Sequence, residues 1–425
     1  MATGVLEDDI VKEIYGSSKE WVSVEVKLSQ SLDPSTLFHL TDNEAGDRFY
    51  MRLNDNRTSY FGYKAIQLFK NNSKNKQSIF KDWEKLKHNI TFIHPQSEKH
   101  HLRVVGGFQF SSHKSDDEWR EFGLNHFVLP EVLISTDNNG TFLTYTVKRE
   151  SFTVEALNDL MDLFNNISDI DVDEQIGEIT RNEDIYKDDW RQLVVEAIES
   201  INNEEKIVLA RRRLIKFDKD ISIPYILKQA YSKEKNSYIF LLESQDSIFF
   251  SQTPEQLIKV NNKILSTKAV AGTIKRSQDE DDIKPYITEL HYDKTPKILK
   301  NDHLYHLYTE IKAPLKDDSY ISLIDNLHPT PALGGYPKEF AMDFIEQKEF
   351  GTRGLYGAPV GYIDIYDDCE FIVAIRSMLI KKAQATLFAG CGIVKDSDPD
   401  SELAETNLKF TPMMNALGVD MNGKS

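Results

Sequence analysis

Five places in this chain carry residue types whose spacing gives them chemical reach. Lys206 opens the run Lys206-Ile-Val-Leu-Ala-Arg211, and Arg212 and Arg213 follow it. An amine at the mouth of a buried strand, beside other cations, gives up its proton more readily and can act as a base; in open water it is an ordinary strand-end lysine. Glu255 follows Pro254 just before Gln256-Leu-Ile, at a strand edge, where it is either an acid–base group or a plain loop carboxylate. Arg376 follows the apolar run Phe371-Ile-Val-Ala-Ile375. A guanidinium in an apolar strand needs an anion, supplied by a structural ion pair or by a bound carboxylate. Ala389-Gly-Cys-Gly-Ile393 leaves a strand with two glycines, so that backbone N–H groups can approach a carboxylate without interference from a Cβ. Glu402, Glu405 and Lys409 fall at i, i+3 and i+7, on one helix face. That face is either solvated and salt-bridged or a source of oxygen ligands for a hard cation such as Mg²⁺.

Strands must hold most of these residues in place. Residues 21–26, 49–53, 58–62, 102–109 and 140–147 read as β-rich pieces, and 151–167 and 188–203 as helices. In the second helix Trp190, Val194, Ala197, Ile198 and Ile201 share one apolar face. Short strands then follow at 206–217, 237–243, 247–251, 256–260 and 264–271, the last two about an Asn261–Asn262 turn. Helical stretches at 302–312 and 337–347 separate these from a second β block over 355–394. The final helix has legible ends: Asp398 as N-cap, Pro399 at the first helical position and Gly418 beyond the last turn. The fold class expected is α+β, with large antiparallel β-sheets forming a two-layer core and helices packed outside. Two portions are expected, a β-rich N-terminal one over 1–165 packed into the same overall fold and a catalytic one over 166–425.

Composition narrows the function classes. The chain has 425 residues, 40% hydrophobic and 28% charged, with only 20 Gly and 14 Pro, a balance that excludes collagen and disorder. Acidic residues outnumber basic ones by 68 to 51, a net charge of −17 that disfavours nucleic-acid phosphates and anionic membrane surfaces as partners. Cys369 and Cys391 are too few for a disulfide framework, and no apolar run approaches the roughly 20 residues of a bilayer span. The first residues carry Glu7, Asp8, Asp9 and Glu13 rather than a basic start and an apolar stretch, so a signal peptide is not expected and a cytoplasmic location is. No phosphate-loop or dinucleotide fingerprint is present, and the histidines lack the His-Glu-x-x-His spacing of a catalytic zinc site.

The ordered set of motifs is more specific than any member. Lys206-Ile-Val-Leu-Ala-Arg, Thr253-Pro-Glu255-Gln-Leu, Ala271-Gly-Thr-Ile-Lys-Arg276, His328-Pro-Thr-Pro-Ala-Leu-Gly-Gly335, Arg353-Gly-Leu-Tyr-Gly-Ala-Pro-Val-Gly361, Glu370-Phe-Ile-Val-Ala-Ile-Arg376 and Ala389-Gly-Cys-Gly-Ile-Val394 lead to Glu402-Leu-Ala-Glu405-Thr-Asn-Leu-Lys409. Together they closely resemble the chorismate-utilising enzymes over residues 190–420. Val105-Gly-Gly-Phe108, Trp119-Arg-Glu-Phe122 and Phe127-Val-Leu-Pro130 resemble the family's N-terminal portion.

The resemblance implies an isomerase of the isochorismate synthase type, serving menaquinone or siderophore synthesis. A lysine at the Lys206 position marks the members that add water, so neither ammonia nor a glutaminase subunit is implied. Lys206 is then the base that activates water at C2 of chorismate, and Glu255 the acid that protonates the departing C4 hydroxyl. By the same resemblance Thr273, His328, Tyr356, Arg376, Gly390, Gly392 and Lys409 contact the substrate. Mg²⁺ is the implied cofactor, with Glu405 as ligand and Glu402 beside it. A glutamate is usual within a Lys-x-x-x-Glu segment of the family; here Lys297-Ile-Leu-Lys-Asn301-Asp302 offers Asn301, or Asp302 after a register shift. A monomer or weak homodimer is expected. The alternatives are a salicylate synthase, which also eliminates pyruvate, and a degenerate chorismate-binding protein. A glycosidase using Glu255 with Glu402 or Glu405 gains nothing from the motif order.

Overall fold

The computed structural model describes residues 10–72, 76–111, 117–167, 176–233, 236–270, 291–292, 297–300, 305–316 and 320–419. Strands among these residues join into one hydrogen-bonded system that is antiparallel except where Trp21–Lys27 lies parallel to Ile90–Ile93. Alternation along the strands sorts their side chains to two sides. Phe49 and Met51, Phe240 and Leu242, and Ile372 point into one aromatic-rich cluster with Trp119, Tyr238, Leu355, Tyr356 and Phe388. Their neighbours Tyr50, Ile239 and Leu241 instead join helices Pro34–Leu40, Val154–Asn165, Ile223–Lys233 and Pro399–Ala416. Val104, Phe371 and Val373 join helices Gln77–His88, Lys187–Ser200, Tyr320–Leu327 and Lys338–Lys348. Sheet therefore packs on sheet inside and helices cover the outer faces, the α+β arrangement expected.

Hydrogen bonding ties early strands to late ones. Phe49–Arg52 pairs with Tyr238–Ser244, with Phe49 opposite Leu242, and Arg103–Phe108 pairs with Pro359–Asp364, with Val105 opposite Tyr362. The central strand for chemistry is Lys206–Phe217, which pairs with Gln384–Ile393 from Ile207↔Ile393 to Lys216↔Gln384. Among the described residues no helix is long and apolar enough to cross a membrane.

Several expectations are corrected. The stretch 302–312, read as helical, contains instead the strand Tyr305–Pro314, which pairs with Ile264–Val270 from Val270↔Tyr308 to Ile264↔Pro314. Leu304, Leu307 and Ile311 imitate a helical stripe. The period-two pattern of buried Ile311 and Ala313 against less buried Glu310 and Lys312 is the one that sheet pairing selects. The short piece at 58–62 is the start of a much longer strand, Ser59–Asn71, held along its length by Asn125–Asp137. Arg376 does not lie within a strand: it sits between Cys369–Val373 and Ser377–Lys381 with a left-handed φ of +48°.

Candidate active site

Lys206 is the first residue of its strand, and its side chain lies across Gly392 on the paired strand. A Cβ at position 392 would stand 2.1 Å from Lys206 Cε and 2.8 Å from Nζ, so the missing side chain is the space the lysine occupies. Burial holds the Lys206 amine below its usual proton affinity; the Lys409 ammonium adds to this, while Glu405 and Glu402 oppose it. A lysine in this setting is neutral more often than one in water, as a base requires.

Glu255 follows the strand Ser247–Thr253. Its N–H donates to Thr253 Oγ1 (3.2 Å) and its carbonyl accepts from Val373 N–H (3.0 Å), which fixes the backbone on both sides. Burial pushes its carboxyl up to about 7, against the opposing pull of Arg376 and then Lys206. The field of those two cations at Glu255 brings base, acid and guanidinium into one electrostatic neighbourhood. At neutral pH about half of such a carboxyl carries a proton it can give away.

Tyr356 closes another side. Its ring stacks on Phe388 with centroids 5.5 Å apart, and its hydroxyl lies 2.7 Å from where a Cβ of Gly390 would be. Burial raises the phenol well above its usual range, so it stays an O–H donor. The two glycines of Ala389-Gly-Cys-Gly-Ile393 thus make room for Tyr356 and Lys206 in turn. Neighbouring strand pairing ends at Ser377↔Phe388, and the Gly390 carbonyl accepts from Lys409 Nζ at 2.8 Å.

The acidic helix begins as expected, with Asp398 accepting from Ser401 N–H at 2.9 Å, and Gly418 follows it with φ +68°. Glu405 pairs with Lys409 at 2.6 Å. Glu402 accepts from Ser397 Oγ at 2.6 Å, and the Cys391 thiol, kept protonated by burial, also hydrogen-bonds to it. Two carboxylates one turn apart supply the hard oxygen donors that suit Mg²⁺. Among the described residues no group of three His, Cys, Asp or Glu side chains is arranged to hold a metal ion. Thr273, Asn301 and Asp302 lie outside the described residues.

His328 is buried: its Nε2 meets the Phe110 carbonyl at 3.0 Å, and desolvation holds the ring neutral. With Nε2–H donating, Nδ1 carries a lone pair, and it has no hydrogen-bond partner among the described residues. The Phe110 N–H in turn donates to Gly354 O at 2.7 Å, which connects His328 to the loop bearing Tyr356. Sequence reasoning assigned no task to Ser397 or to the buried pair Glu349 and Arg353. The signals were a serine five residues before Glu402, an acid four residues before an arginine, and the place of Arg353 at the head of one of the ordered motifs.

Comparison with known proteins gives a consistent picture. A family model described as "Chorismate binding enzyme" matches residues 10–284 and 280–418. The chain is 33% identical to the isochorismate synthase MenF of Bacillus subtilis, covering 92% of each, and 27% identical to that of Haemophilus influenzae, covering 96% of this chain and 94% of the other. Its fold resembles the menaquinone-specific isochorismate synthase of Escherichia coli with a TM-score of 0.77 at 20% identity, over 98% of this chain and 99% of that one. Anthranilate synthase component I of Streptococcus pneumoniae is similar with a TM-score of 0.68 at 19% identity, over 84% and 92%.

Proposed function

The chain belongs to the chorismate binding enzymes, and from that premise we propose that it is an isochorismate synthase, converting chorismate to isochorismate. The observation that carries the reading is the opposite displacement of two neighbouring groups: burial lowers the proton affinity of Lys206 and lifts Glu255 to about 7. A pair of titratable groups pushed towards each other's range is what acid–base work at neutral pH needs. Neutral Lys206 takes a proton from the water that bonds to C2. Both ring double bonds shift, C1=C2 to C1=C6 and C5=C6 to C4=C5, the C4–O bond breaks, and protonated Glu255 supplies the proton with which the hydroxyl leaves as water. One water enters and one leaves, so the net change is an isomerisation.

Chorismate carries two carboxylates, and the cations around Glu255 and Lys206 suit them. Arg376, Lys409 and the Tyr356 hydroxyl would bind and orient the substrate, with the Gly390 and Gly392 amides, His328 and Thr273 completing the contact set. Glu405 and Glu402 would hold Mg²⁺, with Asn301 or Asp302 as a further oxygen donor. Bound there, the ion neutralises carboxylate charge as electrons move through the ring. Water as nucleophile makes a glutaminase subunit unnecessary, and a cytoplasmic monomer or weak homodimer fits the reading. Supply of isochorismate for menaquinone is the reading we favour, since the two full-length relatives named above share the name MenF with the menaquinone-specific isochorismate synthase of Escherichia coli.

The test is incubation of the purified protein with chorismate, with Mg²⁺ or with EDTA, resolving products by chromatography. Metal-dependent isochorismate without pyruvate is the expected result. Salicylate with equimolar pyruvate would make the protein a salicylate synthase, and chorismate binding without product would make it a binding protein.

A further inference from the structure

The strand that carries Lys206 is supported unevenly. On one side Gln384–Ile393 pairs with it along almost its whole length. On the other, Gly335–Tyr336 pairs only at Ile207 and Lys206, and Ile179–Ile185 pairs only from Arg212 onward. Between them, from Val208 to Arg211, that edge has no strand partner among the described residues. Buried backbone groups without partners are costly, and an unpaired stretch two residues from a reacting amine would let it drift.

A side-chain ion pair fills the gap. Val208 N–H donates to Gly334 O at 3.1 Å, Arg353 Nη2 donates to Val208 O at 2.6 Å, and Ala210 N–H donates to Glu349 Oε1 at 2.7 Å. The two side chains are fixed to each other, Arg353 Nε meeting Glu349 Oε2 at 2.8 Å and Nη2 also pairing with Oε1. Arg353 Nη1 reaches Leu333 O at 2.8 Å, and the guanidinium lies over the Phe110 ring at 4.3 Å. Side-chain exposure is 4% for Arg353 and 7% for Glu349, so neither charge is there to meet solvent. The alternation of Val208 and Ala210 is that of a strand edge, and the acceptor and donor offered to them stand where a neighbouring strand would place its own.

We propose that Glu349 and Arg353 are positioning residues, a buried ion pair that stands in for the missing strand and sets the place of Lys206 over Gly392. The inference rests on the reading of Lys206 as the base. Arginine suits the task because its planar fork can serve a carboxylate and two carbonyls together, which a lysine cannot.

The test compares wild type with Arg353→Lys, which keeps the charge and loses the fork. Two quantities are read on the full chain: hydrogen–deuterium exchange of peptides covering residues 206–212, and steady-state turnover of chorismate with Mg²⁺. The expected result is exchange at least tenfold faster in those peptides, with kcat down at least tenfold and KM for chorismate within twofold. Unchanged exchange, or faster exchange with unchanged kcat, overturns the proposal. If Arg353→Lys does not fold, Glu349→Asp, too short to reach Ala210 N–H, answers by the same two readings. A wild type inert towards chorismate would refute the proposed reaction and leave the exchange result to judge the strand support alone.

Discussion

Replacing Gly392 by alanine separates the chemistry of this site from the stability of its fold. The new Cβ would lie 2.1 Å from Lys206 Cε and 2.8 Å from Nζ, with Lys206 Cδ next at 3.4 Å. Ordinary carbon–carbon contact is about 3.5–4 Å, so the end of the lysine must move by roughly 1.5 Å. The backbone does not resist: Gly392 has no left-handed φ, and only the far end of a flexible side chain obstructs the methyl. Stability should therefore hold or rise by about 0.4–1 kcal/mol, since alanine restricts the unfolded chain more than glycine. Catalysis should not hold. Displacing a reacting group by about 1 Å costs on the order of 10²-fold in rate, equivalent to about 2.7 kcal/mol of barrier. Steady-state turnover of chorismate and a thermal melt on one preparation give both numbers. Gly390→Ala is the contrast, because its Cβ would meet the Leu209 carbonyl at 2.9 Å as well as Tyr356 Oη at 2.7 Å. That variant should lower the melting temperature. A Gly392→Ala protein with a normal melt and kcat within threefold of wild type would refute the claim that the lysine's seat over this glycine matters to the reaction.

Other expectations follow from the same geometry. Lys206→Ala and Glu255→Gln should each abolish measurable water addition while keeping the near-ultraviolet circular dichroism of the wild type; substantial turnover by both would remove the acid–base assignment. With Glu255 near 7, kcat/KM should fall about tenfold per pH unit above that value, because the acid must be protonated. Glu255 also links pH to stability. Its folded value of about 7 exceeds the ordinary 4.5, so the fold binds the extra proton between those values and loses stability as pH rises through them. Glu255→Gln should thus match wild type near pH 4 and exceed it at pH 8 by up to about 3 kcal/mol in denaturant unfolding. For the metal, Ser397→Ala removes the donor that orients Glu402, and Mg²⁺ affinity by calorimetry should weaken by about 10-fold or more. Asn301→Ala and Asp302→Ala, compared in the same way, should identify the further oxygen ligand by which of them weakens the ion.

The local features that were legible share a property: their physics is contained in a few consecutive residues. The cap at Asp398, the start at Pro399 and the stop at Gly418 read directly, because capping is a contest among neighbouring backbone groups. Strand Lys206–Phe217 matched its expected bounds, since its apolar run leaves no helical alternative of sufficient length. The stretch before Pro314 failed the same treatment because both periods fit it, and pairing with Ile264–Val270 decided between them. Arg376 failed because the left-handed residue that ends its apolar run leaves no mark in side-chain pattern.

Residue order alone determined the site's inventory: an amine, a carboxyl, a guanidinium, two glycines and an acidic helix, in a succession specific enough to indicate the family. What those groups are to one another was decided only in three dimensions. Gly392 makes room for Lys206 although 186 positions later in the chain, and a left-handed Gly354 with φ +55° lies against Trp119, where a Cβ would stand 1.9 Å from the indole. Glu349 and Arg353 look like any i, i+4 surface pair until the fold seals them against Val208 and Ala210. The proton affinities of Lys206 and Glu255 have the same origin. Desolvation is the largest cause of both shifts, and it depends on what the remainder of the chain packs around them.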